Sequence, residues 1–99
     1  MKKEIQDVYD WADSKDFRNN STVKIQFAKF GEEIGEYWEA VCIDDKPAIA
    51  DELGDVALCV VMQVYMHNLD LEKLLAATVK KVTKRKGKMV DGLFVKENY

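Results

Sequence analysis

Apolar residues return at helical intervals along most of this chain. Ile5, Val8, Tyr9 and Ala12 fall at i, i+3, i+4 and i+7 and predict a first helix from about Lys3 to Ser14. The polar stretch Asp16 to Asn20 reads as a loop, with Ser21 as the N-cap of the next helix. Val23, Phe27, Phe30, Ile34, Trp38 and Val41 then form a single apolar stripe on that second helix, from about Thr22 to Ile43. Ala28, Gly31 and Gly35 run along one flank of the stripe. A mid-helix Gly costs about 1 kcal/mol relative to Ala, so this row predicts the close approach of another backbone.

Asp44-Asp45-Lys46-Pro47 breaks the pattern and restarts it, Asp as a cap and Pro in a first helical turn. The third helix, about Ala48 to His67, opens with Asp51, Glu52 and Asp55 and is then apolar on every side through Val64. A helix with no wet face is buried all round. So short a chain has too few other helices to surround it, which predicts a subunit interface and a homo-oligomer, a dimer or dimer of dimers. Asp70 caps a fourth helix, about Leu71 to Arg85, whose inner face is Leu71, Leu74, Leu75, Thr78, Val79 and Val82. Its basic end, Lys80 to Lys86, suits the helix dipole. Asp91-Gly92 between apolar pairs is a type I′ hairpin signal. The expectation is an all-α fold: a four-helix bundle over about residues 3–86 with a hairpin-like tail over about 87–99, together one domain.

Composition narrows the function. At 99 residues the chain hides about 60–65% of its surface on folding. The net charge of -3 disfavours general nucleic-acid binding. No apolar stretch comes after Met1-Lys2-Lys3-Glu4, and the longest apolar run, Val56 to Val64, is far short of the roughly 20 residues that span a bilayer. A cytoplasmic protein without membrane contact is expected, with Cys42 and Cys59 as free buried thiols. His67 is the single histidine, read as a capping or packing residue, so Cys/His zinc ligation is excluded.

Two strings carry the candidate chemistry: Glu33-Ile34-Gly35-Glu36 and Glu52-Leu53-Gly54-Asp55. Each puts two carboxylates three residues apart, on neighbouring helical turns about 5–6 Å apart at Cβ. A short link pairs the two helices antiparallel, so the pairs form a four-carboxylate cluster. Such a cluster requires a cation or raised pKa values. An all-oxygen donor set selects Mg²⁺, Mn²⁺ or Ca²⁺, and Mg²⁺ with phosphate oxygens is the usual outcome. Gln26, Lys29, Glu33 and Glu36 share one flank, which a solvated helix surface explains equally well. Glu52 and Asp55 are harder to dismiss, because they lead into a segment with no wet face.

The strings Lys29-Phe30-Gly31-Glu32-Glu33-Ile34-Gly35-Glu36 and Asp51-Glu52-Leu53-Gly54-Asp55-Val56 resemble the ExxE and ExxD motifs of the MazG-like, all-α nucleotide pyrophosphohydrolases. Gln26 ahead of the first motif also looks like the family pattern, and the resemblance runs from about Trp11 to Arg85. It implies Mg²⁺-dependent attack of water (Mn²⁺ as the alternative metal) on a nucleoside triphosphate, giving the monophosphate and pyrophosphate. By position, Glu33, Glu36, Glu52 and Asp55 become the metal ligands, and Glu32, Glu33 or Glu36 orients or deprotonates the water.

The substrate's phosphates need cations, and Lys81, Arg85 and Lys88 recur about a turn apart, with Lys29 a further candidate. A solvated basic helix end accounts for the first three as well. The common family pattern ends this helix with an aromatic or Asn, where this chain has Lys84-Arg85-Lys86-Gly87. A base needs flat side chains to stack on: Trp11, Phe17, Tyr37 and Trp38 are available. Trp38 lies in the apolar stripe and is read as core, whereas Trp11 lies off its helix's stripe and is the better pocket residue. Two alternatives stay open: a phosphoribosyl-ATP-type pyrophosphohydrolase, and a non-catalytic helical interaction module.

Overall fold

A computed structural model describes residues 1–97; the last two residues of the tail lie outside the described residues. Helices α1 (Lys2–Ser14), α2 (Phe17–Asn20), α3 (Val23–Cys42), α4 (Lys46–Met66) and α5 (Leu71–Thr83) precede strands β1 (Gly87–Val90) and β2 (Leu93–Lys96). The chain is therefore mostly helical, with one small antiparallel sheet. No described helix is long and apolar enough to cross a membrane.

Local chemistry accounts for most boundaries. Thr22 caps α3, its Oγ1 accepting from the Ile25 N–H at 3.1 Å. Ser21, expected to be the cap, sits one residue earlier and accepts from the Gln26 side chain. Asp45 caps α4 through the Ala48 N–H, with Pro47 in the first turn, and Asp70 caps α5 through the N–H groups of Glu72 and Lys73. His67 is the C-cap residue of α4 and is exposed.

The stretch expected to be a loop contains α2. Asp16 adopts a left-handed conformation (φ 53°), which Asp tolerates better than most residues. It turns the chain sharply after α1, and the Asn19 and Asn20 side chains donate back to its carboxylate and carbonyl. One helical turn has no period to detect, so its sequence reads as merely polar.

The body of the molecule is the α3–α4 pair, joined by the three-residue link Ile43–Asp45, with α1 laid across the C-terminal half of α4. Ala12, Met62 and Tyr65 form the buried centre, and Val8, Tyr9, Phe17 and Met66 pack around them. The Tyr65 hydroxyl donates to Asp13, Arg18 stacks its guanidinium 3.9 Å from the centre of the Tyr65 ring, and Arg18 also donates to Asn68. These contacts fasten α1 and α2 to the end of α4.

The remainder departs from the expected closed bundle. Beyond its first turn α5 leaves the body, and its apolar face is open: Leu74, Leu75, Val79 and Val82 are all exposed. The hairpin has the anticipated turn, Asp91 (φ 51°) and Gly92 (φ 82°) both in the left-handed region a type I′ turn demands. Its apolar residues Val90, Leu93 and Phe94 are nonetheless exposed. On α3, Trp38 is exposed rather than core, as are Phe27 and Ile34, so much of the α3 stripe faces outward. Cys59 is buried as expected, but Cys42 is exposed. Among the described residues, no atom of another segment lies within 4 Å of where a Cβ would stand on Gly31 or Gly35, so the predicted close approach is not made there.

Candidate metal and nucleotide site

The antiparallel α3–α4 pair brings the acidic strings face to face. Carboxylate oxygens of Glu33, Glu36 and Glu52 lie within 4.8 Å of one another, and so do those of Asp51, Glu52 and Asp55. Glu52 belongs to both groups and bridges them. Asp51 was not among the anticipated ligands. It stands four residues before Asp55, a spacing that shares a helix face, and that spacing was legible in the sequence. Glu32, on the exposed side of α3, meets Lys29 at 3.9 Å and belongs to neither group.

Electrostatics in the cluster are uneven. Glu33 is buried, with 7% of its surface exposed, and its Oε1 receives Lys29 Nζ at 3.0 Å. That hydrogen bond holds Glu33 below the usual carboxylate range and raises Lys29. Glu36 is pushed up by its hydrogen bond with Glu33 and the charge beside it. Glu52 is pushed up to about 7, by desolvation first and then by Glu36, Glu33 and Asp55. Glu33 Oε2 and Glu52 Oε2 are both buried with no hydrogen-bond partner. Buried carboxylate oxygens without partners are costly. Two of them converging in an all-oxygen cluster fit a hard divalent cation such as Mg²⁺.

Beside the cluster opens a cleft of about 420 Å³. Its polar end is formed by Glu33, Asp55, Lys29 and Gln26, and its floor by Leu58, Cys59 and Met62 of α4. Burial pushes the Cys59 thiol up, which keeps it neutral. The far wall is aromatic: Trp11 of α1 and Phe17 of α2 pack with ring centres 5.0 Å apart and planes at 51°. Trp11 keeps 45% of its surface exposed. The sequence candidates Trp11, Gln26 and Lys29 thus share one cleft with Glu33 and Asp55. Lys81, on α5, Arg85, just beyond it, and Lys88, on β1, form no part of that cleft within one chain. Tyr37 is half-buried on α3 and Trp38 exposed; neither lines the cleft.

The profile of the MazG nucleotide pyrophosphohydrolase domain matches residues 22–90. The chain belongs to that family. Comparison with curated proteins and with solved structures gives no match. The MazG match starts at the cap of α3 and ends in β1, so it contains every carboxylate of the cluster. The MazG region leaves out α1 and α2, which supply the aromatic wall of the cleft.

Proposed function

We propose that this protein is a Mg²⁺-dependent nucleoside triphosphate pyrophosphohydrolase, converting an NTP or dNTP to the monophosphate and pyrophosphate, and that it works as a homo-oligomer. The observation that carries the reading is the pair of unpartnered buried oxygens, Glu33 Oε2 and Glu52 Oε2, within the acidic cluster at the end of an aromatic-walled cleft. Membership of the MazG family supports it.

Glu33, Glu36, Glu52 and Asp55 hold the metal in this reading, with Asp51 beside them. Bound Mg²⁺ neutralises phosphate charge and lowers the pKa of its water. The residues do the rest. Glu36 is exposed at the mouth of the cluster and is the carboxylate we assign to accept the proton of the attacking water, with Glu32 as the alternative. Water oxygen bonds to the α-phosphorus, the bond from that phosphorus to the bridging oxygen breaks, and pyrophosphate leaves with its electron pair. Lys29 fixes Glu33 and faces the phosphates, Gln26 contacts the nucleotide, and the free face of Trp11 stacks on the base. No covalent protein nucleophile is required.

The test is a panel of NTPs, dNTPs and phosphoribosyl-ATP, with pyrophosphate detected in Mg²⁺ and in EDTA. Release from NTPs or dNTPs in Mg²⁺ alone is expected. Silence across the whole panel would return the protein to the non-catalytic reading, and turnover of phosphoribosyl-ATP alone would replace the substrate class.

A further inference from the structure

Ser21 is not the cap of α3; Thr22 is. The Ser21 hydroxyl is therefore spare for another use, and it takes one. Its Oγ accepts from Gln26 Nε2 at 2.9 Å in a partly buried contact. The Ser21 N–H is fixed as well, donating to the Phe17 carbonyl at 2.8 Å. One residue thus ties the Gln26 amide to the turn that carries Phe17. Ser21 stands one residue ahead of the MazG match, which begins at residue 22.

An amide side chain has two ends of opposite character: a carbonyl oxygen that only accepts and an NH2 that only donates. Gln26 and Phe17 line both the main cleft and a smaller cavity of about 220 Å³ beside it, so together they form the partition. Ser21 lines the smaller cavity and not the cleft. Its bond draws Nε2 to the far side of the partition, which leaves Oε1 to face the cleft. Gln26 stands seven residues before Glu33 on α3, about 10 Å along the helix. That is about the reach from a nucleotide's α-phosphate to its base. A base stacked on Trp11 beside Phe17 brings its edge to Gln26.

We propose that Ser21 is a positioning residue that makes Gln26 an acceptor toward the base, so that the cleft selects amino bases, adenine and cytosine, over their oxo counterparts, hypoxanthine and uracil. The proposal rests on the pyrophosphohydrolase reading for its ligand, a nucleotide. The exocyclic amino group of adenine or cytosine donates to Oε1. An oxo group in its place sets acceptor against acceptor and goes unpaired, which is the costly outcome in a desolvated site. The ring N–H of an oxo base is a donor, but the carbonyl beside it still needs a donor of its own. The cleft supplies none there. Lys29 is held at the metal end by Glu33 at 3.0 Å. The floor is Leu58, Cys59 and Met62, of which the thiol alone is even a weak donor. The Trp11 indole N–H lies in the plane of its ring, so it does not point at a base stacked on the ring's face.

Two substrate pairs differ by amino against oxo at that position: CTP against UTP, and ATP against ITP. In Mg²⁺ the wild type is expected to favour the amino member of each pair at least about tenfold in kcat/KM. Calorimetric titration with the α,β-methylene analogues of CTP and UTP, which cannot release pyrophosphate, should show the same preference in Kd. Ser21→Ala frees the amide to turn over and should shrink both ratios to about threefold or less. Its kcat for CTP should be unchanged, because the carboxylates are untouched and Thr22 still caps α3. Ser21→Thr keeps a hydroxyl and should restore the ratios. A wild type that treats both members alike, or prefers the oxo member, overturns the proposal, and so does a Ser21→Ala protein with the wild-type ratio. If the analogues bind with the expected preference but no triphosphate is hydrolysed, the pyrophosphohydrolase reading fails and base selection by Gln26 stands. If neither analogue binds, both fall.

Discussion

The α3–α4 pair and the α5–hairpin arm are both amphipathic, yet only the pair finds a partner within the chain. A three-residue link lets α3 and α4 pack at little entropic cost, and their polar edges are thereby forced into one acidic cluster. The arm has an equally regular apolar pattern and leaves it in water. Periodicity therefore states that a face must be covered, and is silent on what covers it. The pair gathers its carboxylates, and the arm leaves its apolar face exposed.

The sharpest way to break this contrast is at the cluster. Asp55→Asn or Glu52→Gln should lower turnover by at least about two orders of magnitude, a loss of about 2.7 kcal/mol in transition-state stabilisation. Thermal stability in EDTA should not fall, because the change relieves repulsion among carboxylates. Glu4→Gln, at an exposed site near the N-terminus, serves as the control and should change neither quantity. An Asp55→Asn protein with full activity would remove the carboxylate cluster from the mechanism.

The arm comes next. Leu75→Asp with Val79→Asp places charge on its apolar face. Each lost apolar contact is worth about 1.5–3 kcal/mol when fully buried, so subunit dissociation should strengthen at least about tenfold. Sedimentation velocity reads this out. An unchanged dissociation constant would show that this face is not covered in the assembly.

A smaller effect should appear with pH. The carboxyl of Glu52 titrates at about 7 in the fold against an ordinary value near 4.5. Between those values the folded protein holds a proton that the unfolded chain has released, so stability falls as pH rises through this window and levels above it. Glu36, also raised, acts in the same direction; Glu33, lowered, acts below the window. In EDTA the melting temperature should therefore be higher at pH 5 than at pH 7.5, and Glu52→Gln should flatten the difference. A melting temperature that climbs across the window in EDTA would contradict the desolvated state of Glu52.

The smallest change is expected at the hairpin tip. Gly92 has φ 82°, which Val does not tolerate, so Gly92→Val should disorder β1 and β2 and leave the far-UV helical signal nearly intact. Wholesale loss of helix would mean that the tip supports the body.

Much of the fold was legible because the signals are local. Asp45, Pro47 and Asp70 fix helix starts through bonds made within three residues, and Asp91-Gly92 dictates its own turn. The i, i+3 acidic pairs met because a short link leaves two helices few ways to pack. The features that escaped depend on distant partners. Trp38 belongs to an apolar stripe that the described residues leave exposed, and Lys81 and Arg85 sit on an arm whose direction no periodicity encodes. One-turn α2 is invisible to pattern because its cause is the backbone conformation of Asp16 rather than any regularity in residues 17–20.

The tie between the two ends of the body sets an order of assembly. Arg18 to Asn68 and Asp13 to Tyr65 close loops of 50 and 52 residues, whereas α3 and α4 are joined by three. Closing the longer loops costs roughly 2–3 kcal/mol more chain entropy. Folding should thus begin with the α3–α4 hairpin and end with the docking of α1 and α2. Tyr65→Phe, which removes the hydroxyl from Asp13, should then accelerate unfolding and leave the refolding rate almost unchanged. A transient species in which α1 has come away would keep its carboxylates aligned while losing Trp11 and Phe17. Such a molecule would still capture a divalent ion, and would have lost the wall against which a base can rest.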